Sequence, residues 1–472
     1  MTTKQIESTR LNGVSLFSGA GIGDLGFRAA GINFIAMCEL EQDKAELSKI
    51  NYPEVEHFNK NIEQVENKLC DYVSNYLSRT NEQLFLLSCT APCQGMSKNG
   101  QGTLLKNIRN GTRPTLDPRN RLILPALKII QRLKPLWVIF ENVIEMRNTA
   151  IQDENGKIRP ILEIVQDCLY PLNYVGTAYD VEFADYGIPQ RRQRLITVYT
   201  RDNEAIRRFS EGIPLIPPCT HAKKPKGKLS QWVSITEALA DFPPLDGKSE
   251  YTAACNNILF HYVPVLDPKK YEWIRHTPPC KSAFDNQCVN VQCRFDGNPT
   301  HGASHGMDGI NRAHKNTPLI CQKCGSLLPR PFTEMDDGSK RIMSGYISAY
   351  KRMDGSLPAP ALTRNLSYAC SDQKIHPTQN RVLSLAEAMR LQTIDFYNYK
   401  WGPLIIKKGV KIIKKQYISD TIIRLVIGES IPPRFLEILG EYIKKIPTLE
   451  INYSKNTLRI TDQKLAQNEL FY

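Results

Sequence analysis

Leu84-Phe85-Leu86-Leu87-Ser88-Cys89 runs directly into Thr90-Ala91-Pro92-Cys93-Gln94-Gly95, an apolar stretch that breaks into a loop bounded by proline and glycine and carrying a cysteine. Six near-continuous apolar positions ending in turn residues read as a strand buried on both faces, the texture of a parallel sheet. Open α/β sheets bind their ligands beyond the carboxyl ends of parallel strands, so Cys93 stands where a nucleophile would meet a substrate. The plain alternative for a free cysteine is a small buried core residue.

Outward from this strand, short apolar runs alternate with helical stretches between about residues 14 and 199. Strands are expected at 13–17, 34–38, 84–88, 136–141, 176–180 and 194–199, with helices at 43–51 and 122–133. This is an α/β pattern: a doubly wound, mainly parallel sheet covered by helices. Beyond Arg201 the chain turns proline-rich and basic, as in His221-Ala222-Lys223-Lys224-Pro225-Lys226-Gly227-Lys228, and periodicity fades until about Gln379. A smaller, loop-rich region with little regular structure and little core of its own is expected there. Helices return at 384–393 and, after Pro432-Pro433, at 435–443. The chain is therefore divided into 1–203, 204–380 and a return segment, 381–472.

The 472 residues hold 61 Lys and Arg against 48 Asp and Glu, a net charge of +13 that favours a polyanionic partner. No apolar run is long enough to span a bilayer, and the first residues lack the apolar core of a signal peptide, so a cytoplasmic, nucleoid-associated protein without membrane contact is expected. In such a reducing compartment the 13 cysteines are thiols, metal ligands or catalytic groups rather than disulfides.

Leu16-Phe17-Ser18-Gly19-Ala20-Gly21 is a glycine-rich turn from strand to helix, either a tight turn only or a cradle for a ligand. Glu39, ending the second strand, adds a carboxylate able to accept hydrogen bonds from ribose hydroxyls, which favours a nucleoside cofactor. Glu141 ends the strand 136–141 at the same sheet edge, where it can donate a proton beside Cys93 or simply cap the next helix. Arg192 and Arg194 alternate along an extended segment, facing a substrate together or forming a solvated edge. Cys288-x4-Cys293 and Cys321-x2-Cys324-Gly325 offer four thiolates for a structural zinc module within 280–325, with Cys280, His301, His305 and His314 as substitutes and unliganded thiols as the alternative.

These segments, with Asp117-Pro118-Arg119-Asn120-Arg121-Leu122, the stretch from Arg381 to Gln392 and Gly428-Glu429-Ser430-Ile431-Pro432-Pro433, occur in an order that resembles the DNA (cytosine-5) methyltransferases of bacterial restriction-modification systems. The resemblance implies the S-adenosylmethionine-dependent methyltransferase fold with a target-recognition domain. It implies S-adenosylmethionine held by Phe17, Gly19, Gly21, Glu39, Asn61, Ile62, Pro92, Leu122, Glu429 and Ser430. Asn61 replaces the family's usual aspartate at the adenine amino group, and many members carry asparagine where Glu429 stands. Further implied are attack by Cys93 on carbon 6 of a flipped-out cytosine, stabilisation by Glu141, Arg192 and Arg194, and closure of the loop 95–113 over the base. Double-stranded DNA is the implied substrate of a monomer, with a cognate restriction endonuclease acting on the same site. A tRNA methyltransferase is the alternative substrate class, against which the long insert between Arg194 and Arg381 counts. A catalytically inactive DNA-binding relative is the non-enzymatic alternative.

Overall fold

The computed structural model describes residues 10–92, 117–300, 303–305, 311–313, 317–343, 348–402, 404–408, 411–416 and 418–448. Its centre is a seven-stranded sheet of β1 (Leu11–Leu16), β2 (Ile32–Cys38), β3 (Glu56–Phe58), β4 (Leu84–Cys89), β5 (Trp137–Asn142), β6 (Val175–Glu182) and β7 (Gln193–Thr200), in the order β3-β2-β1-β4-β5-β7-β6. The first five strands are mutually parallel, and β7 runs antiparallel to both β5 and β6. Because side chains alternate across a strand, β4 and β5 feed both faces. Leu86, Trp137 and Ile139 join the core on one side, and Leu87, Val138 and Phe140 join the core on the other.

Among the described residues, five helices flank the early strands: α1 (Asp24–Ala29), α2 (Gln42–Asn51), α3 (Ile62–Thr80), α4 (Ile123–Leu133) and α5 (Ile161–Leu169). The chain then leaves the sheet and returns as α6 (Leu385–Leu391), α7 (Asp420–Glu429) and α8 (Pro433–Lys445). Helix α8 lies directly on α1, so close that a Cβ on Gly26 would sit 1.9 Å from the Pro433 carbonyl oxygen. Only glycine permits that approach, and through it the two ends of the described chain form one layer.

The region 204–380 has short strand pairs and short helices, as its texture suggests, but it is not short of core. Trp273 packs edge-on against Tyr350 and Phe332, and Phe284 edge-on against Tyr350, within a cluster that includes Leu245, Val263, Ile274 and Ile375. These side chains come from short elements and loops far apart in sequence, too short for any periodicity to announce them. Among the described residues no helix is long and apolar enough to cross a membrane.

Helix α6 is fixed by electrostatics as well as by packing. Ser384 and Glu387 form a reciprocal capping box, and the Glu387 carboxylate also takes two 2.7 Å bonds from the Arg381 guanidinium, with both side chains fully buried. Burial pushes the Glu387 carboxyl up, but the hydrogen bonds and charge of Arg381 outweigh it, leaving its pKa below the usual range. Removing one partner of such a pair strands the other in a dry interior. Arg381→Met should therefore lower the unfolding free energy by about 3–5 kcal/mol, with Arg381→Met/Glu387→Met recovering part of the loss, as read by chemical denaturation.

Candidate active site

Beyond the carboxyl ends of β1, β2, β4 and β5 lies a cleft of about 460 Å³, within the range of small-molecule sites. Its lining brings together residues from across the chain: Phe17 and Gly19 after β1, Glu39 after β2, Thr90 and Pro92 after β4, and Glu141 near the end of β5. Arg194, near the start of β7, reaches the same edge because β7 runs against β5, with Ile196 opposite Glu141.

The glycine turn is a built cradle. Phe17, Gly19 and Gly21 all have positive φ, at 58°, 56° and 72°. At Gly19 an added Cβ would meet nothing within 4 Å, so its bare backbone faces open space, while its N–H donates to the Glu39 carboxylate at 2.9 Å. Gly21 instead turns inward, where a Cβ would press on the Tyr52 ring at 2.5 Å and where the Tyr52 hydroxyl donates to its carbonyl. Of the residues expected to hold a cofactor, Gly21 alone is absent from the cleft lining.

Glu39 accepts a second bond, from the Glu41 N–H at 2.8 Å. Burial raises its pKa, opposed by these N–H groups and by the Lys44 ammonium. Asn61 caps α3, its side-chain oxygen accepting from Glu63 N–H at 3.1 Å, and it still borders the cleft with Ile62 and Leu122. A carbonyl oxygen has a second lone pair, so capping leaves Asn61 one acceptor site. The far wall is the turn Gly428-Glu429-Ser430.

Glu141 and Arg194 form an ion pair of 2.9 Å, Nε to Oε1, and both are mostly buried. The two alternating arginines diverge in their contacts. Arg194 pairs with Glu141, whereas the buried Arg192 donates to the Leu362 carbonyl at 2.9 Å and the Gly428 carbonyl at 3.0 Å. Both border the cleft. Cys93 and the segment through Arg113 lie outside the described residues, although the preceding Pro92 borders the cleft.

Several supporting residues were not singled out from sequence. Asn142 donates to the Ala91 carbonyl at 3.1 Å, and Thr90 Oγ1 donates to the Phe17 carbonyl at 2.7 Å, tying the loop after β4 to its neighbours. Gln190 donates to Gln392 Oε1 at 2.6 Å, and Gln392 donates to the Ser430 carbonyl at 2.7 Å. Asn142 follows Glu141, Gln190 precedes Arg192 by two positions and Gln392 ends the 381–392 stretch, so nearness to those segments was the available signal. Lys44 had none.

A second cluster lies in the region 204–380. The sulfurs of Cys288, Cys293, Cys321 and Cys324 all fall within 4.8 Å of one another, with Cys288 to Cys324 at 3.6 Å and Cys293 to Cys321 at 3.9 Å. Tetrahedral zinc with Zn–S bonds of about 2.3 Å requires sulfurs about 3.8 Å apart, so this donor set fits. Asn298 Nδ2 donates to Cys321 Sγ, and Gly325 N–H to the Cys321 carbonyl, the surrounding bonds that orient metal thiolates. Cys280 is exposed and outside the cluster; the side chains of His301, His305 and His314 lie outside the described residues.

The sequence pattern of the family described as C-5 cytosine-specific DNA methylase matches residues 11–445. The chain is 27% identical over 442 residues to the type II methyltransferase M1.HgaI of Avibacterium volantium, covering 90% of this chain and 96% of that protein. It is 23% identical over 466 residues to the type II methyltransferase M.XorII of Xanthomonas oryzae pv. oryzae, covering 97% and 90%. Among solved structures, Spodoptera frugiperda DNMT2 aligns with a TM-score of 0.46 at 13% identity, over 92% of this chain and 99% of that one. The match over nearly the whole described chain shows that it belongs to the C-5 cytosine-specific DNA methylase family, and that it is a DNA cytosine-5 methyltransferase.

Proposed function

We propose that the chain methylates a specific duplex sequence as the modification half of a restriction-modification pair, through a covalent cysteine adduct on a flipped-out cytosine. The observation that carries this reading is one cleft bordered at one end by Gly19 and Glu39 and at the other by the Glu141–Arg194 pair and Pro92. Type II relatives matched over nine-tenths of their length support the restriction-modification role. Residues 1–203 form the catalytic and cofactor unit in this reading, 204–380 recognise the target, and the return segment 381–472 completes both.

The exposed backbone at Gly19, the anchored Glu39 carboxylate and the spare acceptor on Asn61 fit S-adenosylmethionine. When bound, that cofactor supplies an electrophilic methyl group. Glu39 then accepts from the ribose hydroxyls, and Asn61 from the adenine amine. Cytosine carbon 5 is a poor nucleophile until the Cys93 thiolate adds to carbon 6, which places the electron pair on carbon 5 as an enamine. As the sulfur adds, Glu141 brings a proton to ring nitrogen 3 and accepts from the exocyclic amine, and Arg194 donates to the ring carbonyl, both side chains oriented beforehand by their own ion pair. After methylation of carbon 5, loss of its proton and expulsion of the Cys93 sulfur restore the aromatic ring.

The expected product is 5-methylcytosine at one sequence, read by bisulfite sequencing of a plasmid carrying the gene in a methylation-free host. Cys93→Ala should abolish both transfer and trapping on duplexes containing 5-fluorocytosine, and Glu141→Gln should lower kcat about 100-fold. Methyl groups entering tRNA but no duplex DNA would overturn the substrate assignment.

Zinc held by Cys288, Cys293, Cys321 and Cys324 completes the proposal, pinning the recognition region rather than taking part in the chemistry. Protein purified without chelator should contain close to one zinc per chain by atomic emission. Cys321→Ser/Cys324→Ser should lose that zinc and weaken specific DNA binding, while metal-free wild-type protein of full activity would exclude the site.

A further inference from the structure

Lys44 is an anomaly among the cleft residues. It is a lysine only 8% exposed, in the first turn of α2, and its ammonium lies 2.7 Å from Glu429 Oε2 and 3.1 Å from Glu41 Oε1. Taking an ammonium out of water is costly, and burial alone would lower its pKa; the Glu429 and Glu41 carboxylates outweigh that, so it remains charged. The pair joins opposite walls of the cleft. Lys44 stands beside Glu39 and Glu41, while Glu429 belongs to the turn at the end of α7.

That turn is already anchored without Lys44. Arg192 holds the Gly428 carbonyl, and Gln392 holds both the carbonyl and the hydroxyl of Ser430. The ion pair is thus not needed to hold the backbone in place, and its side chains border the space a ligand would fill.

We infer that Lys44 is a cofactor-positioning residue, whose clasp holds the Glu429 side chain in place across from Glu39 so that both walls engage S-adenosylmethionine together. The inference rests on the cofactor reading of the cleft. Without Lys44, the Glu429 carboxylate would face Glu39 and Glu41 with no cation between them, and like-charge repulsion would turn its side chain away from the cleft.

The experiment measures Kd for S-adenosylmethionine and S-adenosylhomocysteine by calorimetry, with steady-state methylation, on the full chain. Lys44→Ala should raise both dissociation constants about tenfold, a loss seen in KM for the cofactor rather than in kcat. Glu429→Gln added to Lys44→Ala should recover most of the affinity by removing the unpaired carboxylate, a rescue that a merely structural lysine would not permit. Unchanged affinity in Lys44→Ala overturns the clasp and leaves the cofactor reading intact. A change confined to the cationic cofactor and sparing its neutral product also overturns it, because bulk charge and not the placement of Glu429 would then be acting. A wild-type chain that binds neither compound defeats the cofactor reading itself.

Discussion

Irregular backbone leaves carbonyl groups without ladder partners, and a buried carbonyl needs a donor. In this protein the donors come from buried arginines, whose planar guanidinium carries five N–H groups. Arg352 alone serves the carbonyls of Thr277, Ile274, His376 and Gln379 together with the Asn380 side chain. Arg330 serves Asn286, Pro299 and Pro318. Burial brings both down to about 10, so each is still a cation at neutral pH. A region with few strands can in this way fix its loops against one another, and the aromatic cluster around Trp273 and Tyr350 packs within that frame.

The same device builds the candidate active site. Arg192 joins β7's leading edge to Leu362 and to Gly428, two segments that arrive only after the long insert. The cleft therefore has an N-terminal wall and a C-terminal wall, and neither is a complete ligand site alone. Helix α6 transmits the order of its buried Arg381–Glu387 pair to the site, since Gln392 at its end contacts both Gln190 and Ser430. Packing of α8 on α1 closes the layer behind the glycine turn.

What sequence could reveal follows from this construction. The strands around Leu86 and Ile139 were legible because burial on both faces leaves a continuous apolar run. Glu141 and Arg194 were legible because each ends or begins such a strand. Helix α3 carries a helical stripe at Ile62, Val65, Leu69 and Val73, but most of its other positions are polar and its start coincides with the cofactor segment at Asn61 and Ile62, which hides it. The three-residue β3 is too short for any periodicity. The Trp273 core and the carbonyl contacts of Arg192 depend on residues far apart in sequence, and a single chain pattern holds no trace of such pairings.

Lysine and arginine divide the labour at the cleft by geometry. A guanidinium fork meets two carbonyls at fixed angles, so Arg192 defines where the 428–430 turn lies. An ammonium is a point charge on a flexible stem, and Lys44 answers carboxylates whose direction matters less than their distance. Carbonyl contacts made by Arg192 belong to the resting architecture, set when the chain folds. The Lys44–Glu429 contact joins side chains only, one of them 40% exposed, so it can part and re-form without moving the backbone behind it. A cleft that must admit a cofactor and release its product needs walls of the first kind and a fastening of the second.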